Sequence, residues 1–250
     1  GDVYKRQSLD CAQAMQELIR MGVETIITFD AHDNRVQNAI PNNGFDNFFT
    51  SYQFISTILN DMPDLIVDNE HLMTISPDEG GMRRAVFYSN QLGVDMGMFF
   101  KRRNYSTLVN GEHPVISMEF LGNDVSGKDV IIVDDMIASG KTVLEVAKEL
   151  KKRNAAHVII CATFGLFNDG LEELDQAYKE KVFDHIYTTN LCYCPSALKE
   201  RPYYHNVDLS RYIALIIDTL NHDTSVNDIM NATKRIQELL EERSKNISSK

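Results

Sequence analysis

The chain has 250 residues, of which 43% are hydrophobic and 24% are charged, so it can bury one large core or two modest ones. Its net charge of −11 argues against a nucleic-acid surface, which needs clustered Lys and Arg. The longest nearly unbroken apolar run, Val158–Phe167, is about half of what a bilayer crossing needs.

The four cysteines do not form a disulfide framework, because the chain is long and Cys192 and Cys194 are only two residues apart. Free thiols are typical of a reducing compartment. We therefore predict a cytoplasmic protein with no membrane and no nucleic-acid partner. An acidic chain can still bind polyphosphates where metal ions and a local basic loop offset the repulsion.

Short apolar runs alternate with amphipathic stretches, which is typical of an α/β protein with parallel strands. The chain begins with a predicted helix at Leu9–Arg20 and a predicted strand at Val23–Phe29. Further apolar segments and strands are predicted at His71–Ile75, Val94–Phe100, Val130–Val133, Val158–Phe164 and His185–Thr188. Further helices are predicted at Met82–Leu92, Thr142–Arg153, Ser210–Leu220 and Val226–Arg243.

The strongest motif, VIIVDDMIASGKT, runs from Val130 to Thr142. An apolar strand delivers Asp134 and Asp135 to its carboxyl edge, and a turn of small residues then opens a helix. Free N–H groups at a helix start can hold a phosphate, and the Thr142 hydroxyl can cap the helix or bind the same anion. The two carboxylates suit sugar hydroxyls or metal-bound water.

The end of this motif, Gly140-Lys141-Thr142, is similar to the end of a P-loop. A P-loop needs a glycine where Asp135 stands, so we reject that interpretation. The remaining structural alternative is a strand–helix turn with incidental aspartates.

Asp30 and His32 follow the first predicted strand. Because they are two residues apart, we expect them to face the same side at a strand end. A carboxylate and an imidazole there suit a metal–nucleotide site, although a histidine at a strand end is more often a hydrogen-bonded structural residue.

Two further segments suit phosphate chemistry. The segment Ser76–Gly81 reads SPDEGG, and its glycines let backbone N–H groups approach phosphate oxygens closely; the alternative is simply a good turn. The basic triplet Lys101-Arg102-Arg103 ends a predicted strand. Such triplets usually just solvate a surface.

In their order along the chain, these four motifs resemble those of the ribose-phosphate diphosphokinase family. The resemblance covers roughly residues 8–230. The segment 130–142 alone is similar to the phosphoribosyl-binding motif of type I phosphoribosyltransferases. The resemblance continues through Thr188-Thr189-Asn190 and Asp208-Leu209-Ser210.

The resemblance implies Mg²⁺-dependent transfer of diphosphate from ATP to ribose 5-phosphate, giving 5-phospho-ribose 1-diphosphate and AMP. Asp30 and His32 would hold Mg-ATP. Lys101 and Arg103 would be catalytic, stabilising charge on the transferred group. The implied substrate-binding residues are Asp78, Gly80 and Gly81 around the diphosphate, and Asp134, Asp135, Ser139, Gly140, Lys141 and Thr142 around ribose 5-phosphate.

The implied fold is a pair of tandem type I phosphoribosyltransferase-like α/β domains with parallel sheets, the first one incomplete. We predict a domain remnant at 1–64, a complete domain at 65–208 and a helical segment at 209–250. Family members carry nearly a full domain before the Asp-x-His segment, so the opening GDVYKRQ is interpreted as a foreign junction at a truncation rather than as a flexible tail. We expect a homo-oligomer, and we expect the chain as given to be inactive for lack of adenine contacts.

Three departures from the family pattern stand out. Ala138 replaces an aspartate in the ribose loop, the segment between Arg103 and Gly122 is longer than usual, and Ser225-Val226-Asn227 differs at the family's allosteric site. Two other functions stay open: a phosphoribosyltransferase that consumes the product, and a non-catalytic regulatory paralogue. The Asp-x-His and Lys-x-Arg segments argue against the first, and the retained Lys101 and His32 argue against the second.

Overall fold

A computed structural model of the chain describes residues 9–103 and 115–248. Its contacts divide the chain into two compact units. The first comprises Gly1–Phe49 and Arg102–Ser117, and the second comprises Thr50–Lys101 and Met118–Lys250. These units do not test the predicted domains at 1–64, 65–208 and 209–250, which stay predictions.

The first unit contains a small parallel sheet. Its described elements are α1 (Asp10–Arg20), β1 (Thr25–Phe29), a 3-10 helix (Asn34–Ala39) and β2 (Gly44–Phe48). Strands β1 and β2 pair in parallel, from Thr25 opposite Gly44 to Phe29 opposite Phe48. The helix and strand predicted at the start of the chain are therefore confirmed, and β2 was not predicted.

The other described elements follow in chain order. They are α2 (Ser51–Asp61), β3 (Leu72–Ser76), α3 (Met82–Leu92), β4 (Asp95–Arg103), β5 (Val115–Leu121), β6 (Asp129–Ile137), α4 (Lys141–Lys152), β7 (Val158–Gly165), α5 (Glu172–Lys179), β8 (His185–Thr189), α6 (Ser196–Lys199), β9 (Tyr204–Val207), α7 (Ser210–Asn221), α8 (Asn227–Met230) and α9 (Ala232–Ser248).

Within the described residues, the main sheet has seven strands in the order β5-β4-β3-β6-β7-β8-β9. The strands from β4 through β3, β6, β7 and β8 to β9 pair in parallel. All five residues of β3 are buried, as expected for a central strand that is covered on both faces. The predicted α/β fold with a parallel sheet is confirmed.

The core of the second unit lies between this sheet and its helices. Helix α4 buries the stripe that its sequence predicted, including Val143, Val146 and Leu150, against the sheet residues Ile132 and Ile160. Fully burying a side chain of this size contributes roughly 1.5–3 kcal/mol. This packing fixes the start of α4 at the carboxyl edge of the sheet.

The C-terminal helices belong to the second compact unit. The predicted helix Val226–Arg243 is divided into α8 and α9 by Asn231. The guanidinium of Arg243 donates to four backbone carbonyls at the end of α2, those of Leu59, Met62, Pro63 and Leu65, at 2.6–3.1 Å. Arg243 therefore connects α9 to the last turn of α2 and to the segment that follows it.

Across residues 9–103 and 115–248, every helix is too short or too polar to cross a bilayer.

Candidate active site

The predicted diphosphate loop leaves the carboxyl end of β3. The Ser76 hydroxyl donates to the carbonyl oxygen of Asp78 at 2.7 Å, and the Gly81 N–H donates to the Asp78 carboxylate at 3.1 Å. A Cβ atom on Gly81 would lie 2.8 Å from the Ser76 hydroxyl oxygen, so the closed loop needs a glycine there. Asp78 and Gly80 stay exposed, whereas Gly81 is buried where α3 begins.

Strand β6 continues through both predicted aspartates. The predicted strand ended at Val133, but the structure extends it to Ile137, because Asp134 still pairs with β7, opposite Ala162. Asp134 is half-buried and Asp135 is buried. The Asp134 carboxylate accepts from the Asp135 N–H at 2.8 Å.

Asp134 is unusually basic for an aspartate. Burial raises the pKa of Asp134 to about 7, and the neighbouring Asp135 carboxyl and the charge of Asp78 act in the same direction. The carboxyl group therefore exchanges its proton near neutral pH.

Arg84 is the cation beside this pair, and the sequence analysis did not identify it. Its guanidinium lies 3.9 Å from the Asp134 carboxylate, and both side chains are 16% exposed. Arg84 is the third residue of α3, where a positive charge opposes the helix dipole. A basic residue in the first turn of a helix after a glycine loop was the signal that could have revealed it.

The predicted phosphate turn begins α4. Gly140 is the N-cap residue with φ +87°, a left-handed conformation that favours glycine, and it provides no side-chain cap. Ser139 accepts weakly from the Lys141 N–H at 3.4 Å. Lys141 is exposed and pairs with Asp169 at 2.9 Å, whereas Thr142 is half-buried.

The predicted catalytic pair lies at the end of β4. The ammonium of Lys101 lies 2.9 Å from the carboxylate of Glu145 on α4. Arg103 ends the strand, and its side chain lies outside the described residues, as does the segment 104–114 that follows it.

Neighbouring strands bring these groups to one edge of the sheet. Strands β4, β3 and β6 are adjacent and parallel, so Lys101, the Ser76–Gly81 loop and Asp134 all lie at their carboxyl ends. Ligands of open α/β sheets bind at this edge. The structure thus groups residues that the sequence placed in three separate motifs, and their individual roles stay predictions.

The predicted metal pair belongs to the first unit and follows the strand rather than continuing it. Strand β1 ends at Phe29, and Asp30 has φ +42°, so the alternation of a strand does not apply to Asp30 and His32. Asp30 is 6% exposed, whereas His32 is exposed. The Asp30 N–H donates to the carbonyl of Phe48 at 2.9 Å, which anchors this left-handed residue beside β2.

The described residues contain no group of three or more His, Cys, Asp or Glu side chains that could hold a metal ion. Magnesium commonly takes one or two protein carboxylates and completes its shell with water and substrate phosphates. The Asp30 carboxylate fits that pattern, whereas the His32 imidazole lacks the oxygen donor that this ion prefers. Of the predicted pair, Asp30 alone supplies the kind of donor that magnesium prefers, and a magnesium site here stays a prediction.

A comparison with models of protein families shows which family the chain belongs to. The phosphoribosyl transferase domain model matches residues 50–196, which is more than half of the chain. The chain belongs to the phosphoribosyl transferase domain family. The matched range covers the candidate site from the diphosphate loop to the phosphate turn, and it lies within the second compact unit apart from residues 102–117.

Several curated relatives are ribose-phosphate pyrophosphokinases. A ribose-phosphate pyrophosphokinase of Mycoplasma genitalium is 31% identical over 176 residues, which are 69% of this chain and 48% of that protein. A ribose-phosphate pyrophosphokinase of Vibrio parahaemolyticus is 30% identical over 220 residues, which are 86% of this chain and 63% of that protein. The resemblance to ribose-phosphate diphosphokinases is confirmed, and the chain spans about half to just under two thirds of the length of these relatives.

A solved structure supports the fold. The crystal structure of phosphoribosylpyrophosphate synthetase from Mycobacterium smegmatis matches 87% of this chain and 65% of its own chain, with a TM-score of 0.73 and 22% identity. The chain therefore shares the α/β fold of that synthetase structure.

Proposed function

We propose that this chain is part of an enzyme that transfers diphosphate from ATP to ribose 5-phosphate, giving 5-phospho-ribose 1-diphosphate and AMP. The proposal is supported by the names of the curated relatives and, above all, by one feature of the site. Three adjacent strands bring Lys101, a glycine loop, and a carboxyl pair followed by a phosphate turn to a single edge.

Ribose 5-phosphate is assigned to the end of β6. Asp134 and Asp135 can accept hydrogen bonds from the sugar hydroxyls, and the turn Ser139–Thr142 can receive the 5-phosphate. Helix N-terminal N–H groups attract anions, and Gly140 adds no capping side chain that would compete for them. Lys141 adds an exposed positive charge beside the turn.

The diphosphate is assigned to the loop after β3, with Asp78, Gly80 and Gly81 around it. In the proposed reaction the anomeric hydroxyl oxygen attacks the β-phosphorus of ATP, and the bond from that phosphorus to the bridging oxygen of AMP breaks. The hydroxyl proton is released, and AMP leaves with the bridging oxygen. Lys101 and Arg103 are assigned to the charge that builds on the transferred group.

Magnesium is proposed as the cofactor, with Asp30 and His32 on the nucleotide side. When bound, the ion would neutralise charge on the phosphates. Asp30 would supply a carboxylate oxygen, and its left-handed backbone would set the direction of that carboxylate. A homo-oligomeric state and a cytoplasmic location belong to the same proposal.

The experiment is to measure AMP release from ATP that depends on ribose 5-phosphate, using the natural protein that carries this sequence. Synthesis should require both substrates and magnesium, and phosphorus NMR should show the 1-diphosphate product. A phosphoribosyltransferase would release diphosphate from that product when a base is added. A regulatory paralogue would do neither, and either result would contradict the proposal.

A further inference from the structure

Lys101 is held by a residue distant in sequence. Its ammonium donates to the Glu145 carboxylate at 2.9 Å, across 44 residues. The Lys101 side chain is 18% exposed, whereas that of Glu145 is 56% exposed. A lysine has a flexible four-carbon stem, so burial of the stem and an ion pair at its tip together restrict the position of the ammonium.

Glu145 lies close to the predicted phosphate turn. It follows Lys141, the first residue of α4, by four positions, which is about 6 Å along a helix axis. Side chains on a helix lean toward its N-terminus. The Lys101 ammonium is therefore held near the end of α4 that would receive the 5-phosphate.

The neighbours of Glu145 on α4 have other partners. Lys141, one turn earlier, pairs with Asp169 at 2.9 Å. One turn later, Glu149 accepts from Lys152 and Arg153 on the same helix. Glu145 thus differs from these α4 ion pairs, because it connects the helix to the end of β4.

We propose that Glu145 is a positioning residue, which holds the Lys101 ammonium at the carboxyl edge of the sheet, between the proposed diphosphate loop and phosphate turn, and acts on the reaction only through Lys101. This inference rests on the function proposed above. An ammonium has three N–H donors, so Lys101 can keep its bond to Glu145 while it donates to a phosphate oxygen. Because the ammonium is already held in place, its entropy of positioning does not add to the activation free energy of the reaction step.

The test compares five variants of the natural protein that carries this sequence. Glu145→Gln should lower kcat by about tenfold and leave both substrate KM values within about twofold, because the lost contact positions a transition-state cation. Glu145→Asp should recover part of the loss. Glu149→Gln, which removes a paired carboxylate one turn further along α4, should behave as wild type. Glu145→Gln combined with Lys101→Ala should be no slower than Lys101→Ala alone.

Two results would overturn the inference. Unchanged or increased kcat in Glu145→Gln would mean that the carboxylate is irrelevant or holds the ammonium away from the phosphates. Additive losses in the double variant would mean that Glu145 acts independently of Lys101.

A second readout does not depend on turnover. Acetylation of Lys101, followed by peptide mass spectrometry, should be several-fold faster in Glu145→Gln, with the exposed Lys148 of α4 as the internal reference. Equal rates would show that the pair is absent in solution and would overturn the inference. If wild type releases no AMP, the proposed function fails and this positioning role fails with it. If wild type is active and Glu145→Gln matches it, only the positioning role fails.

Discussion

Arg84 of α3 and Asp134 of β6 form a pair in the candidate site, with their nearest charged atoms 3.9 Å apart and each side chain 16% exposed. At this separation the cation does not offset the burial of the carboxyl group, whose pKa stays raised to about 7. The Asp134 carboxyl group therefore keeps its proton to a much higher pH in the folded protein than in the unfolded chain.

Asp134→Asn should change the pH dependence of stability. Between pH 3.8 and about 7, the folded state holds the Asp134 proton and the unfolded state does not, so wild-type stability falls as pH rises. From pH 5 to pH 8 this fall should be about 3 kcal/mol. The asparagine has no charge to bury and keeps an acceptor for the Asp135 N–H. The stability of the variant should therefore not show this fall between pH 5 and pH 8.

Urea unfolding of both proteins at pH 5 and pH 8 measures the effect. We expect Asp134→Asn to gain stability relative to wild type at pH 8 and not at pH 5. A pH-independent difference between the two proteins would mean that Asp134 titrates at an ordinary pKa.

Lys101→Ala should lower turnover far more than it weakens binding of ribose 5-phosphate. The ammonium matters chiefly while the diphosphoryl group is in transfer, and such a contact is worth roughly 3 kcal/mol, or about a hundredfold in rate. Steady-state kinetics of the natural protein should show reduced kcat at nearly constant KM. Near-normal kcat with a raised KM would make Lys101 a residue that binds the ground state.

Gly81→Ala should disturb the predicted diphosphate loop. The new methyl group would lie 2.8 Å from the Ser76 hydroxyl, which donates to the Asp78 carbonyl, so either this hydrogen bond or the loop must move. We expect a loss of about 1–3 kcal/mol in the free energy of unfolding.

The matched control for this loop is Gly80→Ala, whose methyl group would contact only Asp78, at 3.2 Å. It should cost less than Gly81→Ala. Adding Ser76→Ala to Gly81→Ala removes the crowded hydroxyl, so the double variant should be more stable than the sum of the single losses. Strict additivity would show that Ser76 does not cause the strain.

The sequence predicted those elements whose apolar pattern is continuous. Strand β7 and helix α4 were placed within one residue, because VIICATFG is apolar except for Thr163 and α4 has a regular apolar stripe. Strands β2 and β9 were not predicted, because GFDNF and YHNV lack both a long apolar run and a clear alternation. Helix α2 carries Phe54, Ile55, Ile58 and Leu59 at helical spacing, so its signal was present and overlooked.

The candidate site shows where a single sequence stops being informative. The motifs predicted which loops carry polar groups, because a strand followed by aspartates and a small-residue turn has a recognisable local pattern. The contacts of Lys101 with Glu145 and of Arg84 with Asp134 depend on how separate strands pair. Such tertiary contacts have no signal in local spacing, and neither does the left-handed conformation of Asp30.

Two different constraints could require a glycine at position 140 of the phosphate turn, one steric and one conformational. The motif alone predicts that a larger residue at Gly140 blocks the phosphate and that Gly140→Val abolishes binding of ribose 5-phosphate. The structure adds a second reason, which is the backbone conformation of Gly140. A Cβ atom on Gly140 would lie 3.5 Å from Leu174 and 4.0 Å from Ile137, which are ordinary contacts with the protein itself.

The constraint on Gly140 is its φ of +87°, which a β-branched residue such as valine adopts least readily. Asparagine tolerates left-handed backbone better than alanine does, although it is larger. If the backbone decides, calorimetric affinity for ribose 5-phosphate should fall in the order Gly140→Asn, Gly140→Ala, Gly140→Val, with about 1–2 kcal/mol lost in the alanine variant. Tighter binding by Gly140→Ala than by Gly140→Asn would instead restore the steric explanation, because the larger side chain would then be the worse one. Unchanged affinity in all three variants would show that the sugar phosphate binds elsewhere.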